Sequence, residues 1–240
     1  MRLLYLTLIG IFFLQSCGAQ IAMPKITVPN IATTPAALTE SEIAEGLKEA
    51  LSQGAQKAGT ALNQTDGYFA NPLLKILMPP ELANMESKLR SIGMGKQVDD
   101  FILQMNRSAE DAAKEAAPIF VNAIKQMTLQ DAKSILTGAD TAATGYLRKT
   151  TYQPLYDAFI PHIKTAMDNH AVASKWTPLA NAYNSLPTTR TKVNPDLPSY
   201  ITNRALSGLF VKVAEEEKNI RANPVARTTE LMKKVFAQQN

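Results

Sequence analysis

From Thr39 onward, apolar residues recur every three or four positions, the spacing that gathers them on one face of an α-helix. Thr39-Glu40-Ser41-Glu42 spells a capping box, and Ile43, Leu47, Ala50 and Leu51 follow on one face. Asn63–Gly67 breaks that helix. Asn71-Pro72 and Pro79-Pro80-Glu81 read as two further helix starts with proline early, the second running to Gly93 or Gly95. The clearest stripe runs from Lys96 to Met127 through Val98, Phe101, Ile102, Met105, Ala109, Ala112, Ala116, Phe120 and Ala123. Pro118 sits inside this stripe without shifting its phase, which predicts a kink near Ala117 rather than an end. Thr128-Leu129-Gln130-Asp131 caps a short helix ending at Gly138.

Residues 139–186 read as further helices, divided at Pro154, Pro161 and Pro178, with Pro187–Pro198 as the longest loop. Ser199–Asn219 forms a second strong amphipathic helix, broken at Asn223-Pro224, and a last helix runs to about Phe236. No run of alternating β-branched residues competes; Ile26-Thr27-Val28 is too short. The expected fold is all-α: a multi-helix, bundle-like single domain over 39–240 containing a kinked long helix.

The first residues follow a different rule. Arg2 precedes the apolar run Leu3–Leu14, and Gln15-Ser16-Cys17 follows. These twelve residues, apolar but for Thr7, make a helix of about 18 Å, short of the roughly 30 Å hydrocarbon core of a bilayer. The run therefore reads as a signal peptide over 1–16, not a membrane span. Leu14-Gln15-Ser16-Cys17 also resembles a lipoprotein cleavage box, in which a small residue precedes the cysteine to be lipidated. The chain has one cysteine, and it lies at that position. Residues 17–38 then read as a lipidated Cys17 and a flexible tether, with Pro24, Pro29 and Pro35 and a single charge, Lys25.

Composition narrows the chemistry. One cysteine excludes an intramolecular disulfide framework and Cys-based zinc or iron–sulfur sites. The formal net charge of +4 falls by one on loss of Arg2, too little to argue for nucleic acid. His162 and His170 are the only histidines, and without a Glu-x-x-His or His-Glu-x-x-His pattern they read as surface or loop residues; no metal or cofactor is expected. No Gly-x-Ser-x-Gly elbow or phosphate-binding Gly-rich loop occurs, and Gly93-Met94-Gly95-Lys96 reads as a helix–helix turn. No catalytic residue is assigned. Glu217 falls on the apolar stripe of its helix, four residues before Arg221, which leaves two readings: a buried pair holding the bundle, or a carboxylate in a ligand pocket. Arg107, Glu110 and Asp111 face away from their helix's stripe and read as a solvated face. Tyr146, Tyr152, Tyr156 and Trp176 could line a pocket or belong to the core.

Four stretches carry a likeness: AEGLKEALSQG (44–54), GYFANPLLKILMP (67–79), the segment from LRSIGMGKQVDDF to TGYLRKTT (89–151) and YITNRALSGLFVKVAEEEKNIRANPVARTTELMKKVF (200–236). They resemble the bacterial envelope family named domain of unknown function 4197. The resemblance implies an exported helical protein and supplies no catalytic residues. The combined expectation is a membrane-anchored cell-envelope lipoprotein, more a non-enzymatic binding or scaffold module than an enzyme. Its partners would be the membrane, through Cys17, and an envelope protein or lipid. The alternatives are an envelope hydrolase working through carboxylates such as Glu217 and an apolar-ligand carrier. Gly18 follows the cysteine, so no Asp marks inner-membrane retention, and an outer-membrane location facing the periplasm is expected.

Overall fold

Thr39 opens the first helix with its side chain accepting from Glu42 N–H, while the Glu42 carboxylate accepts from Thr39 N–H at 2.8 Å. A computed structural model of the chain describes residues 38–189, 192–193 and 195–237. The signal segment, Cys17 and all of the tether but Leu38 lie outside the described residues. Among the described residues the helices are α1 (Glu40–Leu62), α2 (Ala83–Ser91), α3 (Gly95–Ala112), α4 (Ala116–Lys125), α5 (Leu129–Leu136), α6 (Ala142–Asn169), α7 (Val172–Asn184), α8 (Leu197–Ala222) and α9 (Glu230–Ala237), with no strand. The fold is all-α, as the periodicity predicts. Thr128 repeats the reciprocal cap with Asp131 at the start of α5.

Two helices organise the packing. α1 touches α4, α5, α8 and α9, and α6 touches α3, α4, α5, α7 and α8. α1 comes close to its neighbours because its inner face carries Ala44, Gly46, Ala50, Gly54, Ala55 and Ala58. The core then fills with Leu47, Leu62, Phe101, Met105, Phe120, Ile124, Leu155, Phe159, Leu206 and Phe210. Trp176 packs on Phe101 with ring centroids 5.4 Å apart, and Phe120 meets Phe210 edge-on at 5.8 Å.

Several expectations need correction. Pro154 and Pro161 do not divide the chain, because both lie inside α6 on its exposed side. The buried stripe Leu147, Thr151, Leu155, Phe159, Ile163 and Ala166 runs past them unbroken, so packing along the whole helix outweighs the lost N–H donors. Pro178 likewise lies within α7. Near Pro118 the long helix is interrupted but does not end, as expected: a 3₁₀ turn, Ala113–Glu115, joins α3 to α4 with right-handed helical dihedrals on either side. Proline cannot donate to the carbonyl four residues back and its ring crowds that carbonyl, so the distortion falls in the turn before it.

The largest departure is Asn63–Pro79. Asn71-Pro72 starts only a short turn, and Lys75–Pro79 has no regular secondary structure. This irregular stretch is longer than the Pro187–Pro198 loop, yet Tyr68, Leu74, Ile76 and Met78 along it are buried. Gly208 of α8 makes room for it: a Cβ there would lie 2.8 Å from Tyr68 Cε1. Gly208→Val is accordingly expected to destabilise the protein by about 1–3 kcal/mol, measured by urea unfolding, because the Tyr68 ring has no free space to retreat into.

Candidate functional site

Two glutamates are buried, and each holds backbone. Glu217 of α8 lies against the first turn of α6, where Thr141 supplies no side-chain cap. Its Oε1 accepts from Ala143 N–H at 3.0 Å, and its Oε2 accepts from Thr144 N–H and from the Thr144 hydroxyl, both at 2.8 Å. The carboxylate thus caps another helix's N-terminus, where orphan N–H groups and the helix dipole favour negative charge. Arg221, one turn on, donates Nε and Nη2 back to Glu217 Oε1 at 3.2 and 3.0 Å. Its Nη2 also donates to Ile135 O at 2.9 Å, and Nη1 to Leu136 O, at the C-terminal end of α5. The sequence places both residues on one face of α8, and the fold sets them between the start of α6 and the end of α5. Arg227 continues the pattern, donating Nε to Ile220 O and Nη2 to Arg221 O at the end of α8.

Glu217 Oε1 takes three donors and Oε2 takes two, so both oxygens are engaged within the protein. The hollow beside it, lined by Leu47, Leu51, Ile220 and Phe236, measures about 10 Å³. That is at most the size of a single water site. Glu217 and Arg221 form a closed pair without room for a substrate.

Glu110 requires a correction. It is not part of a solvated face but is buried, because the 63–79 stretch crosses α3 and covers that side. Glu110 Oε1 accepts from Tyr68 and Phe69 N–H, both at 3.1 Å, and its Oε2 takes Arg107 Nη1 at 2.6 Å. Arg107 spans to Asp66 at 2.7 Å, while Asp111 stays exposed and meets His170 Nε2 at 2.7 Å. One turn before Glu110, buried Asn106 accepts from Ile76 N–H and donates to Ile76 O, each at 2.8 Å. Tyr68 donates its hydroxyl to Ala205 O at 2.8 Å. Burial, reinforced by the Glu110 charge, pushes the Tyr68 pKa well above its ordinary value, so the hydroxyl stays neutral and donating.

The remaining candidates are spread apart. His162 faces Glu115 at 3.6 Å, well away in sequence from the Glu217 pair. Tyr152 and Tyr156 donate to Asn203 and Ser199 of α8 and pack against the core, as do Tyr146 and Trp176. Gly93 adopts φ +86° in the turn before α3. Among the described residues no group of three or more His, Cys, Asp or Glu could hold a metal ion.

The surface that stands out lies beside the 63–79 stretch. An open cleft of about 480 Å³ is floored by Ala61, Leu62, Gly67, Ala70, Pro72 and Leu74, with Asp66 and Lys212 also lining it. Leu73 is 78% exposed and Leu77 56% exposed on the same stretch. The apolar run Pro72–Pro80, bracketed by prolines and holding one lysine, was the sequence signal for this surface.

A family model described as Protein of unknown function (DUF4197) matches residues 37–237. No curated protein and no solved structure matches the chain.

Glu217→Ala leaves the largely buried Arg221 without its counter-charge and is expected to cost about 3–5 kcal/mol in urea unfolding. In a double-mutant cycle, Glu217→Ala with Arg221→Met should cost clearly less than the sum of the single changes.

Proposed function

The chain belongs to the family described as Protein of unknown function (DUF4197), and from that premise we propose a cell-envelope lipoprotein, held to a membrane by lipidated Cys17 and acting as a non-enzymatic binding module. The matched region begins at residue 37, and the apolar leader, Cys17 and the proline-bearing segment precede it in the sequence. The observation that carries the anchor is the position of the only cysteine, directly behind the apolar run Leu3–Leu14. Its thiolate attacks the glyceryl carbon of a phospholipid and displaces the phosphate headgroup to leave a diacylglyceryl thioether. The amine freed by cleavage of the peptide bond before Cys17 then takes an acyl chain from a phospholipid ester, which leaves as the lysophospholipid. Each buried CH₂ contributes about 0.8 kcal/mol, and two chains already anchor a protein stably.

The binding role draws on the site. The buried acids at 217 and 110 are engaged in holding helix ends and backbone, whereas Leu73 and Leu77 are held outward on a well-fixed segment. Among the described residues no helix is long and apolar enough to cross a membrane, and the attachment proposed is through Cys17. An outer-membrane site facing the periplasm fits Gly18 after the cysteine.

Mass spectrometry of the mature N-terminus tests the anchor. The expected peptide begins at Cys17 and carries the mass of a diacylglyceryl thioether plus an amide-linked acyl chain. An unmodified Cys17, or an intact Met1, contradicts it.

A further inference from the structure

We propose that the Asp66–Gly67 bond is a site of spontaneous isoaspartate formation, that Arg107 restrains the reaction, and that its product releases the 63–79 stretch.

Asp66 is the only Asp or Asn in the chain that is followed by glycine. A glycine nitrogen is the least hindered nucleophile that a following residue can offer a carboxyl side chain, because no Cβ shields it. Here the fold demands that glycine. A Cβ on Gly67 would lie 2.6 Å from both Ala61 O and Leu62 O at the end of α1. Residue 66 is constrained as well, with φ +70°, a conformation that Asp and Asn tolerate better than most side chains. The fold thus calls for glycine at 67 and favours Asp or Asn at 66, the pairing in which this rearrangement is fastest. The Asp66 side chain is half exposed, so water reaches it.

The steps balance with water as the only co-reactant. The Gly67 nitrogen attacks Asp66 Cγ, forming an N–Cγ bond. One carboxyl oxygen leaves as water, carrying the amide proton and the proton of the neutral acid, and a five-membered succinimide remains. Water then adds at the former Asp66 main-chain carbonyl, and the bond from that carbon to the Gly67 nitrogen breaks. The nitrogen takes back a proton and the released carbon becomes a carboxyl group. The main chain now runs through Cβ and Cγ, and the composition is unchanged.

Ring closure needs the Asp66 Cα–Cβ bond to turn from a staggered to a nearly eclipsed position, bringing Cγ to the nitrogen. Two contacts oppose that turn. Arg107 Nη2 holds Asp66 Oδ1 at 2.7 Å, and its Nη1 is fixed on buried Glu110 at 2.6 Å. The Gly67 N–H donates to Gln64 O at 3.0 Å, which holds the nucleophile. Only the arginine grips the group that has to move, and it reaches across from α3.

The next two amides, of Tyr68 and Phe69, are the ones that Glu110 Oε1 accepts. An added main-chain carbon directly before them shifts both off that oxygen. Isoaspartate at 66 therefore acts as an age-dependent release of the stretch that carries Leu73 and Leu77.

For the test, the full chain is aged in warm, mildly acidic buffer. Its 58–75 tryptic peptide is read by electron-transfer mass spectrometry, whose fragments distinguish isoaspartate from aspartate. A synthetic peptide of the same sequence gives the unrestrained rate. The loss of one charged hydrogen bond corresponds to about tenfold in rate, so the protein should react about tenfold more slowly than the peptide, and Arg107→Met should recover most of that difference. Arg107→Lys, with one ammonium in place of two guanidinium arms, should fall between them. Tyr68→Phe removes the bond to Ala205 O but leaves Asp66 on Arg107, so it should lower the melting temperature without raising the rate. In the isoaspartate-bearing fraction, the Tyr68 and Phe69 amides should exchange with solvent faster than in the unmodified protein. A wild-type rate equal to the peptide's overturns the proposal, as does no acceleration in either Arg107 variant. Equal acceleration by Tyr68→Phe, or unchanged exchange at 68 and 69 in the modified fraction, overturns it as well.

Discussion

A buried carboxylate cannot remain charged without donors, and this fold meets that constraint twice with main-chain N–H groups. Glu217 receives the amides of Ala143 and Thr144, and Glu110 receives those of Tyr68 and Phe69. Each also has an arginine within hydrogen-bond reach, Arg221 and Arg107. Desolvating either ion alone would cost several kcal/mol, so the arrangement stands only while all the donors are in place. The rest of the architecture follows from where those donors are. Glu217 fixes the start of α6 against α8, Arg221 draws in the end of α5, and Glu110 with Asn106 lays the 63–79 stretch across α3.

The result is a helical bundle with one element that is neither helix nor ordinary loop. An irregular stretch with Tyr68, Leu74, Ile76 and Met78 buried needs partners for its main chain, because a buried loop otherwise strands polar groups. α3 supplies them from two side chains one turn apart, and Tyr68 and Tyr200 add contacts to α8 and from it. The same bonds that hold the stretch inward leave Leu73 and Leu77 outward. Structure and the proposed surface role thus have one physical origin.

Much of the helical layout was legible in the sequence because it rests on local rules. The capping boxes at Thr39 and Thr128 and the stripes of α3, α4 and α8 are written in neighbouring residues. The resemblance of four stretches to the DUF4197 family agrees with the match over 37–237. What escaped was set by distant chain segments. Glu110 looks solvated from its own helix, since its cover arrives from more than thirty residues away. Pro154 and Pro161 look like breakers, since only packing along the whole of α6 shows why they are tolerated. Glu217 was visible as an acid on an apolar stripe, but its amide partners lie more than seventy residues earlier.

The central claim is that buried side-chain charge holds the start of α6, which has no local cap, together with the end of α5 and the crossing stretch. Amides at the first turn of a helix ordinarily exchange with solvent quickly, since they lack intrahelical acceptors. Native-state hydrogen exchange at Ala143 and Thr144 tests the claim most directly. The account predicts that both amides exchange only through global unfolding, with the same protection as the middle of α6. Exchange at the rate of an uncapped helix start, while the α6 interior stays protected, would contradict it.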